Sequence, residues 1–251
     1  MPAQAQATPR HLAVIMDGNG RWAEQRRRPR IIGHRAGARA VQRCLEFCLE
    51  RGVEVLTLYA FSSENWGRPA EEVGGLMKLF ASTLEREAGE MHRRGIRLRF
   101  IGERSRFSAA LQARMQAAEA LTQHNTRMTL AIAASYGGRQ DLALAARRLA
   151  EQVAQGQLRP DEIDEARLGQ HTALADLPPP DLMIRTGGDL RISNFLLWQL
   201  AYAELWFTPQ LWPDFDRPTL QQAFDDFAAR QRRFGLTPAQ LAPASQGHSQ
   251  A

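Results

Sequence analysis

A chain of 251 residues with 44% hydrophobic and 24% charged side chains can bury a core without disulfides or a structural metal. That excludes a wholly disordered, collagen-like or cysteine-stapled protein. Basic groups exceed acidic ones by +5, and every basic residue except Lys78 is Arg, an excess that suits phosphorylated substrates, nucleic acid or an anionic membrane surface.

The first residues, MPAQAQATPR, are small and polar and carry no apolar signal segment. The longest strongly apolar stretch, 195–207, is shorter than the roughly 20 residues of a membrane span and contains Gln199 and Glu204. A cytoplasmic protein is expected, with peripheral contact at the inner face of a membrane left open.

In chain order, the apolar run LAVIM predicts a strand at 12–16 that runs straight into DGNGR. Helical spacing follows at 35–50, where Ala36, Ala40, Cys44, Phe47 and Cys48 share a face. Next come a strand at 54–61, a helix at 71–94, a strand at 96–101 and a helix at 108–123 with Ser108 as its N-cap. A strand at 128–133, a helix at 139–155 and short strands at 181–184 and 204–207 precede a last helix at 219–234 capped by Thr219. Such alternation predicts an α/β fold, a single domain with a mainly parallel central sheet surrounded by helices. Residues 1–9 and 237–251 read as loose ends around a domain of 10–236. Cys44 and Cys48 lack the further ligands of a zinc site and fit buried small hydrophobes better than redox or metal work.

Three polar segments each follow a predicted strand, at the end where open α/β sheets bind ligands. In the first, Gly18 and Gly20 of DGNGRW make room for a close ligand, and their amides can form an anion-binding nest; a tight turn alone would also explain them. The pattern is neither GxxxxGK[ST] nor GxGxxG. Nine Arg and His side chains follow within a short span, among them Arg21, Arg30 and His34. They would bind phosphate, which Asp17 repels unless a cation such as Mg2+ stands between.

The second segment holds Ser62, Ser63, Glu64, Asn65, Trp66 and Arg68, able either to orient an anion or to begin a helix. In the third, RTGGDLRISN, Arg185, Arg191 and Ser193 flank a glycine pair and suit a second phosphate pocket. Glu204 sits in the apolar run AYAELWF, where a buried carboxylate needs a partner; facing the same crevice as Asp17, it would add a second acid. Trp22, Met77, Phe80, Leu84, Phe100, Met128, Ile132 and Trp198 are core or, in part, the walls of an apolar cleft.

With these segments in view, the chain resembles the cis-prenyltransferases, and within them the bacterial undecaprenyl diphosphate synthases. The resemblance is carried by HLAVIMDGNGRWA, GHRAG, LTLYAFSSENWGRP, YGGR, the long segment RTGGDLRISNFLLWQLAYAELWFTPQLWPDF and RRFG, from His11 to Gly235. It implies a homodimeric, Mg2+-dependent enzyme of the cis-prenyltransferase fold, not a Rossmann dinucleotide fold. Such an enzyme extends farnesyl diphosphate by successive cis additions of isopentenyl diphosphate to a long polyprenyl diphosphate, the precursor of a lipid carrier for cell-wall glycan synthesis.

Position by position, Asp17 resembles the essential metal-binding aspartate. Gly18, Asn19, Gly20 and Arg21, with Arg30 and His34, resemble the allylic diphosphate loop, and Trp22 the tryptophan at the start of the cleft. Ser62, Ser63, Glu64, Trp66 and Arg68 resemble substrate-positioning residues, and Asn65 the residue that helps remove a proton. Arg185, Arg191, Ile192 and Ser193 resemble the isopentenyl diphosphate site, and Glu204 a second metal contact given across the dimer. Two departures are Leu190, where close relatives commonly have His, and Asp189, where they often have Glu. The DDxxD pattern of trans-prenyltransferases is absent, since Asp225 and Asp226 have no third aspartate at the right spacing. Neither a noncatalytic family member nor a nucleic-acid binder fits as well, because both phosphate loops look complete and the aromatic platforms for bases are missing.

Overall fold

The five residues HLAVI form β1 (His11–Ile15), buried along its whole length as a strand covered on both faces must be. Residues 8–230 are described by this computed structural model; the RRFG motif at 232–235, residues 1–7 and 237–251 of the expected loose ends, and the last positions of the helix expected at 219–234 lie outside the described residues. Five further strands join β1 in one sheet: β2 (Val55–Ser62), β3 (Ile96–Ile101), β4 (Met128–Tyr136), β5 (Leu182–Arg185) and β6 (Glu204–Phe207). Every neighbouring pair is parallel, in the order β3-β4-β2-β1-β5-β6.

Helices cover both faces: α1 (Asn19–Gln25), α2 (Arg30–Glu50), α3 (Ala70–Arg93), α4 (Ala109–Thr122), α5 (Gly138–Ala154), α6 (Glu165–Gln170) and α7 (Arg217–Ala229). Period-two alternation in β1 serves two cores. Leu12 and Val14 join Leu45, Phe47 and Phe224 on one side, while Ala13 and Ile15 join Phe195, Leu196 and Leu200 on the other.

The strand order decides where a ligand can bind. From β1 the chain passes to β2 on one side, whereas β5 lies against β1 on the other. Connections therefore diverge from the β1–β5 seam, and the crevice beyond the carboxyl ends of these strands is the topological switch point. Asp17 follows β1 there and Arg185 ends β5.

All six expected strands form, and five of the expected helices form within a few residues of their expected bounds. Ser108 caps α4 by accepting from Leu111 N at 3.3 Å. Thr219 does not cap α7: Asp216 does, its Oδ1 accepting from both Thr219 N and Thr219 Oγ1, because a carboxylate one turn earlier reaches the free amides better. The DGNGR segment is only briefly a turn. Gly18 alone takes a left-handed φ of 106°, and Asn19 already opens α1. Cys44 and Cys48 are buried free thiols in α2, packed as small hydrophobes.

One polar contact runs through the middle of the sheet. His11 is 1% exposed; its Nδ1 lies 2.7 Å from Pro178 O and its Nε2 2.7 Å from Thr57 Oγ1. The carbonyl can only accept, so Nδ1 carries the proton and Nε2 accepts from the threonine hydroxyl. Burial lowers the His11 pKa from 6.5 to about 4. Its contribution to stability is complete above the unfolded value of 6.5 and is lost as pH falls through about 4. At pH 5 this single group should cost about 2 kcal/mol of stability. Chemical denaturation at pH 7 and pH 5 should show a fall that shrinks in His11→Gln; an equal fall in the variant would contradict this role.

Candidate active site

Arg185 organises the crevice. Only 4% exposed, it directs Nη2 to Asp17 Oδ2 and to Asp189 Oδ2, each at 2.9 Å, and Nη1 to Ser193 Oγ at 2.7 Å. Nη1 also donates to Arg191 O. One guanidinium thus holds the end of β1 against the loop that follows β5, and its planar fork suits that geometry. Arg21 adds a second cation, with Nη2 3.2 Å from Asp17 Oδ1 and Nη1 donating to Gly187 O at 2.6 Å. Partial burial alone would raise the Asp17 pKa; the Arg185 hydrogen bond and the charges of Arg21 and Arg185 overcome it and hold Asp17 below the ordinary aspartate value.

These groups face a polar chamber of about 320 Å³ lined by Asp17, Asn19, His34, Ser62, Asn65, Arg68, Arg185, Arg191 and Ser193, among others. The chamber shares Met16, Asn19, His34, Ala60, Phe61 and Leu76 with a longer cavity of about 590 Å³. That second cavity runs between the sheet and helices α2 and α3, past Val41, Met77, Phe80, Leu130 and Ile132. A charged head chamber therefore opens into an apolar channel.

The chamber is short of partners. Six buried side-chain polar atoms among the described residues have none, and three of them, Asn19 Oδ1, His34 Nε2 and Arg185 Nε, belong to residues lining it. Buried polar groups ordinarily find a hydrogen bond, so a cluster of orphans marks where a polar ligand fits. Burial first, then the nearby charges of Arg68 and Arg30, lower the His34 pKa to about 4, leaving the ring neutral at neutral pH. Asn65 Oδ1 accepts from Ser62 N at 3.1 Å, which turns its amide nitrogen to other work. Arg68 is held by Glu72 at 3.0 Å, and Arg191 reaches Asp189 at 2.7 Å while remaining 64% exposed.

Several expected site residues lie elsewhere. Trp22 is on the other side of α1, donating Nε1 to Asp214 Oδ1 at 2.6 Å beneath the Arg26 guanidinium, and lines neither cavity. Trp66 packs on Phe61 and Phe107 and donates to Ser135 Oγ, so it supports the chamber wall from behind. Ser63 and Glu64 bond each other at the rim, and Glu64 also accepts from Asn194 at 2.7 Å. Arg30 stands over Gly20 and is engaged by Glu24 and Glu72. Gly20 packs under that guanidinium, and at Gly18 a side chain would strike Leu211. Ile192 packs on the core beside Phe195 and Leu196.

Glu204 needs the largest correction. Register pairs it with Leu182 at the amino end of the sheet, while Asp17 lies beyond the carboxyl end. It is 30% exposed and bonded to Arg230 at 2.8 Å, so it is neither buried alone nor in the same crevice within one chain. Of the apolar residues considered for the cleft, Met77, Phe80 and Ile132 line the channel, whereas Leu84, Phe100 and Met128 are core. Sequence reasoning also missed Asp189 as an anchor and Asn194, whose φ of 60° and bonds to Arg139 N and Glu64 join two loops. Asn is among the few residues that tolerate that φ, the one signal that could have exposed it.

Among the described residues no cluster of three or more His, Cys, Asp or Glu side chains could cage a metal ion. Asp17, which lines the chamber, is the kind of hard oxygen donor that Mg2+ takes, an ion that needs only one or two carboxylates and completes its shell with water and substrate phosphates.

Fold and site together define a protein with an arginine-rich polar chamber at the mouth of an apolar channel. The chain matches, over residues 15–235, the prenyltransferase family described as "Putative undecaprenyl diphosphate synthase". It is 68% identical over 241 residues to the ditrans,polycis-undecaprenyl-diphosphate synthase ((2E,6E)-farnesyl-diphosphate specific) of Xanthomonas axonopodis pv. citri, covering 96% of this chain and 94% of that one. It is 57% identical to the enzyme of the same description from Escherichia coli, over 91% of this chain and 90% of that one. Lavandulyl diphosphate synthase from Lavandula x intermedia, solved with dimethylallyl diphosphate, superposes with a TM-score of 0.88 at 39% identity, covering 91% and 98% of the two chains. A probable undecaprenyl diphosphate synthase from Campylobacter jejuni gives 0.77 at 33%, covering 91% and 99%. The chain belongs to the cis-prenyltransferase family of undecaprenyl diphosphate synthases.

The geometry makes a prediction that needs no turnover. Arg191→Ala should weaken binding of inorganic diphosphate roughly tenfold in calorimetry, as expected for one charge-assisted contact. Without a divalent cation, Asp17→Asn should bind it at least as tightly as the unaltered protein. Weaker binding by Asp17→Asn under those conditions would contradict Asp17 as a repelling charge.

Proposed function

We infer that the protein condenses isopentenyl diphosphate onto farnesyl diphosphate in successive cis additions, giving undecaprenyl diphosphate. The observation that carries this reading is the union of the orphaned polar chamber with the apolar channel, in a chain 68% identical to a farnesyl-diphosphate-specific synthase.

In each cycle the allylic C–O bond breaks and diphosphate leaves with the bonding pair. The double bond of isopentenyl diphosphate attacks the allylic carbon, and a proton is lost from the adduct to form the new double bond. The amides after Gly18, with Asn19, Arg21 and His34, would hold the allylic diphosphate. His34 is neutral before a ligand binds and its buried Nε2 is free, so it can donate a hydrogen bond to a diphosphate oxygen. Arg185, Arg191 and Ser193 would hold the second diphosphate with its carbon chain facing the first, supplying the orientation that an encounter in water lacks.

Asp17 would hold Mg2+. When bound, the ion offsets the charge that develops on the departing diphosphate. Arg185 keeps Asp17 ionised and in place for this. Asn65 engages its oxygen in capping the turn, and its amide N–H groups are what it offers to a ligand. As a donor it orients a diphosphate oxygen or a water, and that oxygen takes the proton. The apolar channel receives the tail, each buried CH2 contributing about 0.8 kcal/mol.

Glu204 contributes across a homodimer. Tyr202 and Leu205, 72% and 38% exposed on either side of it at the edge strand β6, give that edge an apolar surface suited to a second copy. The domain spans 10–236. No helix among the described residues is long and apolar enough to cross a membrane. Release of so greasy a product would involve peripheral contact with a membrane.

Radiolabelled isopentenyl diphosphate should be incorporated only with a divalent cation, and chromatography of the dephosphorylated product reports its length. Absence of incorporation by the unaltered protein would overturn the reading. Arg191→Ala should raise the KM for isopentenyl diphosphate more than that for farnesyl diphosphate. Asp17→Ala and Glu204→Gln should each lose most turnover, yet a mixed dimer of the two should regain up to half, since one hybrid site is then intact. No recovery in proven heterodimers would contradict the shared site.

A further inference from the structure

The channel has a polar far end that the reaction described above does not use. Its mouth is at His34 on α2 and Met77 on α3, and both helices run from there toward the amino end of the sheet. Gln42 Nε2 donates to Glu87 Oε2 at 2.9 Å, joining α2 to α3 across the channel lining. Arg86 Nε donates to Glu87 Oε1 at 2.7 Å. The Glu87 side chain is only 24% exposed, while Arg86 reaches out to solvent. One turn nearer the mouth, the buried Thr83 Oγ1 has no partner. Other polar lining residues, such as Arg35, Arg39 and Ser82, stand on the exposed rim, and the Arg30–Glu72 ion pair joins the two helices at their other ends, so Gln42–Glu87 closes the far end of the seam.

Two features place this bond in the path of a long tail. From Met77 to Glu87 the channel follows α3 for about 15 Å at the helical rise. A membrane acyl chain spans about the same distance, half of the hydrocarbon core, and a tail of eleven isoprene units is more than twice as long. The tail therefore outgrows the cavity before synthesis ends. In addition, α3 is weakly held: of its 24 residues only Leu84 and Met91 are fully buried, because its apolar face turns toward the channel. Helices draw most of their stability from packing, so this seam can part.

We propose that the Gln42–Glu87 hydrogen bond is a latch on the α2–α3 seam that limits product length. A tail reaching it must separate the amide from the carboxylate and leave a partly desolvated charge without that partner, which slows each later addition. This rests on the polyprenyl synthase reading of the site. The two residues are specificity determinants, remote from the reacting atoms.

The test compares product lengths at equal consumption of isopentenyl diphosphate. Gln42→Leu with Glu87→Leu should shift the distribution toward longer tails by one isoprene unit or more, with the KM values for both substrates unchanged. The reversed pair, Gln42→Glu with Glu87→Gln, restores the hydrogen bond and should give the unaltered length. A second arm avoids dependence on the folding of the apolar variant. Gln42→Cys with Glu87→Cys, joined by a short reducible bis-thiol reagent, should make shorter products that recover their length on reduction. Unchanged or shorter products from the double leucine variant, or unchanged products from the linked protein, would overturn the latch. Failure of the unaltered protein to consume isopentenyl diphosphate would instead sink the functional reading itself.

Discussion

The structure depends on one buried cation. Arg185 ends β5 at 4% exposure, and every strong hydrogen bond it makes goes to a segment that must be fixed for the site to exist: Asp17 after β1, Asp189, and the backbone and side chain of the 191–193 turn. A guanidinium so deeply placed is tolerable only because two carboxylates face it. The same pairing keeps Asp17 ionised despite its partial burial. Replacing Arg185 with an apolar residue would remove the one buried cation that Asp17 and Asp189 share, leaving them only the more exposed Arg21 and Arg191. Sheet topology, loop geometry and site charge are thus one arrangement seen at three scales.

Around that cation the molecule separates two environments that water would mix. On one side lie Arg68, Arg191 and the unpartnered atoms of Asn19 and His34, with Arg21 paired to Asp17 beside them. On the other lies a channel walled by alternate residues of β4, Leu130, Ile132 and Ala134, and by the inner faces of α2 and α3. Because side chains alternate along a strand, a residue one position away, such as Ala131 or Ala133, belongs instead to the opposite core. A slip of one register would exchange channel for core. A diphosphate with a long hydrocarbon tail suits this division, and few soluble metabolites would satisfy both halves.

Much of this was legible in the sequence for physical reasons. Parallel strands covered on both faces must be continuous apolar runs, so LAVIM and DLMI declared themselves, while the edge strand IRLRFI alternates apolar residues with Arg, and glycine-rich polar segments behind LAVIM and DLMI pointed to the carboxyl ends. The class of site followed from arginines and glycines placed at those ends. What composition could not reveal was direction. Trp22 and Trp66 carry the same chemistry whether they face a cleft or a core, and only the packing around Asp214 and Phe107 decides. Glu204 reads as a buried acid in AYAELWF, yet the pairing of β6 with β5 sets it at the opposite end of the sheet from Asp17. Short elements such as α1 and α6 were missed because six or seven residues give periodicity too little length to register.

The proposed function brings the allylic diphosphate and its cation together at Asp17. It can be tested most directly by 31P relaxation of a non-reacting farnesyl thiolodiphosphate bound with Mn2+ in place of Mg2+. Strong paramagnetic broadening of both phosphorus nuclei in the unaltered protein, lost in Asp17→Asn while the ligand remains bound, is the expected result. Equal broadening in Asp17→Asn, or none in either protein, would contradict the account.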